Sequence, residues 1–307
     1  MAGVEVEVEE QDVGQRLDVV LCRRLPGLSR ARAGALVEEG SVQVCGRQAK
    51  KSYKVVAGDR ITVRSVPAAR DFHAAPDPVL AVQVLLENED YVLVDKPAGM
   101  PSHPLKADEL GTLANALVAR YPEMRGVGYR KREPGILHRL DTETSGVMLA
   151  ARSQEAFDSL RRQLLAGEIE KRYLARCVGI VPAPLVIDVP IASEPRDRRK
   201  VRACSDPREI KRLRAQAART EVLFSSPAEH GSLVEVRAYH ARRHQIRAHL
   251  ASIGHPLLGD TLYGGPRLED PDRHLLHAVS IAVGGLVTST KAWNHAASAL
   301  SIAATGH

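Results

Sequence analysis

Between Ser65 and Pro78 the chain reads SVPAARDFHAAPDP, with three prolines, four alanines and no apolar periodicity. Such a stretch offers neither the stripe of a buried helix nor the alternation of a half-buried strand, and its prolines withhold backbone donors. The 307 residues must therefore fold as two units with separate cores, over residues 1–64 and 79–307, joined by a linker over 65–78.

In the first unit Val4, Val6 and Val8 alternate with glutamates, the pattern of an edge strand. Leu17, Val20, Leu21 and Leu25 recur at helical spacing before Pro26-Gly27, and Ser29 can cap a second helix that ends at Gly40. Val42 and Val44 then lead to a turn at Gly46, and Ile61-Thr62-Val63 reads as another strand. In the second unit strands are predicted over 80–86, 91–95, 147–151, 170–178 and 233–237. Helices are predicted over 112–121, after Ser153 as far as Gly167, and from about 240 to Gly254. Strands and helices mix without the regular alternation of a parallel α/β fold, so the class is α+β, with a mainly antiparallel sheet in the larger domain.

The net charge of +6 and pI near 9.2 point to an anionic partner, nucleic acid before membrane. Only 4% of residues are aromatic, which argues against a stacking-platform binder of single strands. The four cysteines, at 22, 45, 177 and 204, form no C-x-x-C pair, so neither a zinc site nor a disulfide scaffold is expected. An acidic N-terminus without a signal segment, and no apolar run of membrane-spanning length, predict a cytoplasmic protein, expected to be a monomer.

The most specific string is Gly135-Ile136-Leu137-His138-Arg139-Leu140-Asp141-Thr142-Glu143-Thr144-Ser145-Gly146, which reads as strand, turn, strand with Asp141 at the turn. Alone, an aspartate there bonds its own backbone. As a whole the string resembles the His-Arg-Leu-Asp-x-x-Thr-Ser-Gly signature of RluA-type pseudouridine synthases. Further blocks resemble that family in the same order. They are Lys96-Pro97-Ala98-Gly99-Met100 with His103-Pro104, then Lys171-Arg172-Tyr173-Leu174-Ala175, then Arg242 to Leu250, then Gly259 to Gly264 and Leu276-His277-Ala278. Departures fall at His240, Ala241 and Arg243, where the family carries Thr, Gly and Thr, and after Ala278, which makes 279–307 an atypical tail in which Val279, Ile281 and Val283 could still make a strand. Residues 14 to 63 resemble the ribosomal-protein S-four type of RNA-binding domain, with Cys45 standing where that family often has asparagine.

The resemblance implies an RNA pseudouridine synthase that needs no cofactor and no metal, with large-subunit rRNA as the partner. Asp141 would act at the ribose, as nucleophile or as base, kept ionised by Arg247. Tyr173 would stack on the base and assist proton removal. Arg139 would enter the RNA in place of an extruded nucleotide, whose flipping costs roughly a few kcal/mol. Arg30, Arg32, Lys50, Lys51, Arg242 and His244 would bind RNA. From residue type alone, Arg243 and Arg247 share a helix face in a turn that favours negative charge, so an anion should lie opposite. The insert from Arg196 to Arg219, with ten basic residues against three acidic, reads as an arm disordered in the free chain that orders on RNA phosphates. Two other classes fit less of the chain: an inactive RNA-binding or ribosome-assembly factor on the same scaffold, and a hydrolase built on Asp141 with His138 or His244.

Overall fold

The valine–glutamate alternation at the N-terminus forms a short edge strand, β1 (Val4–Val6), paired on one side only. A computed structural model of the protein describes residues 4–25, 28, 30–50, 52–64, 72–239, 242–269 and 272–290. It divides into two compact units between Phe72 and His73. Ser29, Lys51, residues 65–71, His240, Ala241 and the segment 291–307 lie outside the described residues.

In the first unit α1 (Leu17–Arg24) and α2 (Arg30–Glu38) cover a four-stranded sheet. Its strands are β1, β2 (Val42–Val44), β3 (Arg47–Gln48) and β4 (Ile61–Val63), in the order β1-β4-β2-β3. Leu17, Val20 and Leu21 on one helix and Leu36 and Val37 on the other meet Val42, Ile61 and Val63, all buried. The two-residue turn Cys45-Gly46 takes positive φ at both positions, 49° and 74°, as a tight hairpin requires. Asparagine adopts that conformation more readily than cysteine.

The second unit is a nine-stranded sheet. Its first strands are β5 (Gln83–Glu87), β6 (Tyr91–Lys96), β7 (Ser145–Ala151) and β8 (Glu170–Val178). Next come β9 (Leu185–Asp188) and, apart from the sheet, the hairpin β10 (Ile191–Ser193) and β11 (Val201–Ala203). The sheet is completed by β12 (Arg219–Ala228), β13 (Gly231–Ala238), β14 (Leu276–Val283) and β15 (Leu286–Ser289). The order is β5-β6-β7-β14-β8-β13-β12-β9, with β15 on β14, and every pairing is antiparallel except β7 with β14. The α+β class with a mainly antiparallel sheet is thus what the chain builds.

Both faces of the sheet are apolar at β6, β7 and β14, whereas one face of β8, β13 and β12 carries the paired Arg172, Glu235, Arg237 and Glu221. Val92, Val94, Met148, Ala150, Tyr173 and Ala175 face one core, which α3 (Leu113–Arg120) and α6 (Gln245–Ser252) cover. Leu93, Val147, Leu149 and Ile281 face the other, under α4 (Gln154–Ala166). Burial on both faces explains the unbroken apolar run of β7. Local signals set the helix ends. Thr112 and Ser153 accept backbone N–H bonds as N-caps, and Gly167 closes α4 at φ 79°.

Several expectations are corrected. Ile136 makes one bridge, to Ala150, and Leu137 joins a core, so no full strand precedes Asp141. β5 starts at Gln83, while Leu80 and Val82 pack as side chains on the core. Residues 73–78 lie on the second unit: Asp77 N–H donates to Asn115 O at 3.1 Å, and the Asn115 amide to Ala75 O at 2.6 Å. One expectation holds: Val279, Ile281 and Val283 do form a strand, as part of β14, which runs between β7 and β8. The insert is ordered rather than a loose arm. It contains β11 and α5 (Pro207–Leu213), and its few acids neutralise neighbours: Asp197 pairs with Arg199 at 2.8 Å, and Glu209 with Arg202 and Arg212 at 3.4 and 3.3 Å. Its Val201 and Ala218 pack with Ala248 of α6.

Candidate active site

Asp141 stands on irregular backbone just before β7, and the loop after β6 holds it there. The Lys96 ammonium, fully buried, donates to the carbonyls of Pro97, Met100 and Thr142 at 2.9, 2.7 and 3.1 Å. Gly99 N–H also donates to Thr142 O at 2.9 Å. Ser102 Oγ donates to Leu140 O at 2.8 Å and accepts from Leu140 N–H at 3.2 Å. The residues on both sides of Asp141 are therefore tied down. Beyond it, Gly146 sits at φ 117°, and a Cβ there would lie 2.1 Å from Ala278 O, so only glycine lets β7 and β14 approach this closely.

Arg247, the third residue of α6, reaches Asp141 from the other side. Its Nη1 donates to Asp141 Oδ2 at 2.8 Å. Its Nε and Nη2 donate to Asp260 Oδ2 and Oδ1 at 2.7 and 2.9 Å, a bidentate pair with a carboxylate that is itself buried. Burial disfavours the Arg247 charge, but the hydrogen bonds and charge of Asp260, followed by those of Asp141, outweigh it and raise its pKa. The anion expected opposite this helix start is thus a pair of carboxylates. Asp260 was missed in the sequence, although it lies in the Gly259–Gly264 block. Tyr263 of the same block lies under the Arg247 guanidinium, 5.1 Å from ring centroid to Cζ.

Asp141 and Arg247 line one cleft with Tyr173, Arg139, Lys171, Arg242 and His244. Burial, and then the Asp141 charge, raise the Tyr173 pKa, so it enters the site as the neutral phenol. Arg139 is exposed and forms no ion pair among the described residues. His244 takes the left-handed conformation at φ 52° just before α6, with Nδ1 3.1 Å from the Tyr263 hydroxyl and Nε2 3.7 Å from Asp141 Oδ2. Burial lowers its pKa, partly opposed by Asp141.

The shared helix face of Arg243 and Arg247 is not realised, because α6 begins only at Gln245. Arg243 instead donates to the carbonyls of Arg198 and Lys200 at 3.0 and 2.8 Å, and the Tyr263 hydroxyl accepts from Val201 N–H at 2.9 Å. The insert thereby braces the loop that carries Arg242 and His244. His138 is structural: its Nε2 accepts from Leu149 N–H at 3.2 Å, and burial, with Lys171 nearby, lowers its pKa to about 3. A hydrolase using His138 as base finds no support there. In the first unit Arg30 lies 3.6 Å from Asp18, Arg32 pairs with Glu39 at 3.0 Å, and Lys50 is exposed.

Residues 90–252 match the family model described as RNA pseudouridylate synthase, and residues 15–61 match that of the S4 domain. An uncharacterized RNA pseudouridine synthase of Aquifex aeolicus is 37% identical over 265 residues, covering 85% of this chain and 80% of that one. A ribosomal large subunit pseudouridine synthase D of Neisseria meningitidis serogroup B is 35% identical over 83% of this chain and 65% of its own length. Among solved structures, human RNA pseudouridylate synthase domain containing 4 aligns with a TM-score of 0.52 at 26% identity, over 68% of this chain and 88% of that one.

Proposed function

The chain belongs to the RNA pseudouridylate synthase family, and from that premise we propose that it converts specific uridines of large-subunit rRNA to pseudouridine, with Asp141 as the carboxylate acting at the ribose. The observation that carries this reading is the 2.8 Å bond from Arg247 to Asp141 inside the cleft, with Arg247 held in place by Asp260. The relative named for large-subunit rRNA supports the substrate. Four free thiols suit a reducing cytoplasm.

The target nucleotide leaves its stack and its sugar meets Asp141, since C1′ is out of reach inside a helix. The N1–C1′ bond breaks with its electron pair on uracil. Asp141 either bonds C1′ or takes the C2′ proton, which it later returns. The freed uracil turns so that C5 bonds C1′, and Asp141 leaves if it was bonded. The C5 proton then departs and N1 gains one, so the net change is an isomerisation. Tyr173 presents its ring to the base. As a neutral phenol it assists C5 proton removal by accepting a hydrogen bond or through a relay, rather than as a standing phenolate. Arg139, exposed and unpaired among the described residues, fills the place of the extruded base. Arg30, Arg32, Lys50, Arg242 and the exposed Arg196, Arg198, Arg208, Lys211 and Arg214 meet phosphates.

Incubating the protein with large-subunit rRNA lacking the modification, and mapping pseudouridine by chemical sequencing, tests the proposal. New pseudouridine at defined positions is expected. Tight RNA binding without product would instead support an inactive assembly factor.

A further inference from the structure

Two lysines of the second unit are buried beside the active site, and only one has its donors satisfied. Lys96 has three carbonyl acceptors within 3.1 Å. Lys171 is 3% exposed, yet it forms no hydrogen bond or ion pair among the described residues. It lies on β8 two residues before Tyr173, hence on the same face of the strand, and lines the same cleft as Tyr173 and Asp141. The neighbouring His138 cannot serve it. With Nε2 accepting from Leu149 N–H, the neutral imidazole carries its proton on Nδ1 and has no ring acceptor left for Lys171. Arg247 is committed to Asp260 and Asp141.

An ammonium on a buried side chain without a protein acceptor is costly, and a carbonyl oxygen that enters the cleft can supply one. We propose that Lys171 is a catalytic residue whose ammonium donates a hydrogen bond to a ring carbonyl oxygen, O2 or O4, of the extruded uracil and stabilises the charge that builds there as the N1–C1′ bond breaks. The inference rests on the pseudouridine synthase reading. When the glycosidic electron pair leaves with uracil, the negative charge spreads from N1 onto O2 and O4. An ammonium placed there in advance, shielded from water, stabilises that anion more than the neutral base. No proton changes hands: Lys171 stays an ammonium, and the C5–C1′ bond then draws the electron pair back from the ring. Burial brings the lysine down only to about 8, which leaves it charged at neutral pH.

The test compares Lys171→Met with wild type in thermal unfolding, rRNA binding and single-turnover pseudouridine formation at the mapped position. Removing an unpaired buried charge for a side chain of similar length should leave Tm equal or higher and binding within about twofold, while conversion slows about 10²-fold. A second arm uses RNA whose target uridine carries sulfur in place of O2 or of O4. One of the two substitutions should slow wild type and leave Lys171→Met unaffected. Conversion by Lys171→Met at the wild-type rate, a fall in Tm that accounts for lost activity, or equal sulfur sensitivity in both proteins would each overturn the role. Absence of pseudouridine with wild type itself would overturn the parent reading instead.

Discussion

Replacing Asp260 by asparagine separates the group that anchors the site from the group that reacts. In wild type the buried Arg247 makes two bonds to Asp260, at 2.7 and 2.9 Å, and one to Asp141 at 2.8 Å. Asparagine keeps one acceptor and turns the other position into a donor facing the guanidinium. One charge-assisted bond is lost and the other keeps only the charge of its donor, and a hydrogen bond to a charged group is worth about 1.5–3 kcal/mol. Breaking a buried pair costs about 3–5 kcal/mol, and the surviving Asp141 contact places Asp260→Asn near the lower end, about 3 kcal/mol. For a domain of this size that lowers Tm by about 6–12 °C. Asp141→Asn is the control: it removes one bond from a carboxylate 20% exposed, costs about 1 kcal/mol or less, and should keep RNA binding while abolishing conversion. Thermal unfolding by circular dichroism, with pseudouridine assays on the same preparations, reads both. If Asp260→Asn unfolds with wild type, or Asp141→Asn proves the less stable of the two, Arg247 is not anchored as described.

Tyr173→Phe should bind RNA normally and lose most of its turnover, and a wild-type rate would leave Tyr173 a packing residue. Cys45→Asn, at a position with φ 49°, should gain about 0.5–1 kcal/mol in urea unfolding; a loss would show that the cysteine is fitted to its turn. His138, His274 and His277 are neutral in the fold, brought by burial to about 3, 4 and 4 from an unfolded value near 6.5. Protonation therefore favours the unfolded chain. Their contribution is present in full above pH 6.5 and is lost as pH falls toward 4, by about 1.4 kcal/mol per pH unit for each histidine, so a urea midpoint unchanged from pH 7 to 5 would refute it. Deleting residues 1–64 should weaken rRNA binding and flatten its salt dependence by about 0.7–0.9 unit of slope per lost phosphate contact, whereas an unchanged slope would mean that the first unit touches no phosphate.

What could be read from the amino acids was local or carried by a motif. The caps at Thr112 and Ser153, the stop at Gly167 and the span of β8 each depend on neighbours within a few residues, and short-range backbone chemistry decides them. The motif strings likewise singled out Asp141, Tyr173 and Arg247 before any of them had neighbours. Tertiary structure decided which charges meet. Arg247 finds Asp141 across 106 residues of chain and Asp260 across 13, distances that no helical or strand period spans. It also placed β14, a strand legible in the alternation of Val279, Ile281 and Val283, between β7 and β8 in the middle of the sheet. The basic insert became a brace because Arg243 and Tyr263 reach its backbone. Residue type reports that a side chain is charged; whether it is spent on a partner, like Lys96, or left facing a cleft, like Lys171, depends on where the rest of the chain puts its acceptors.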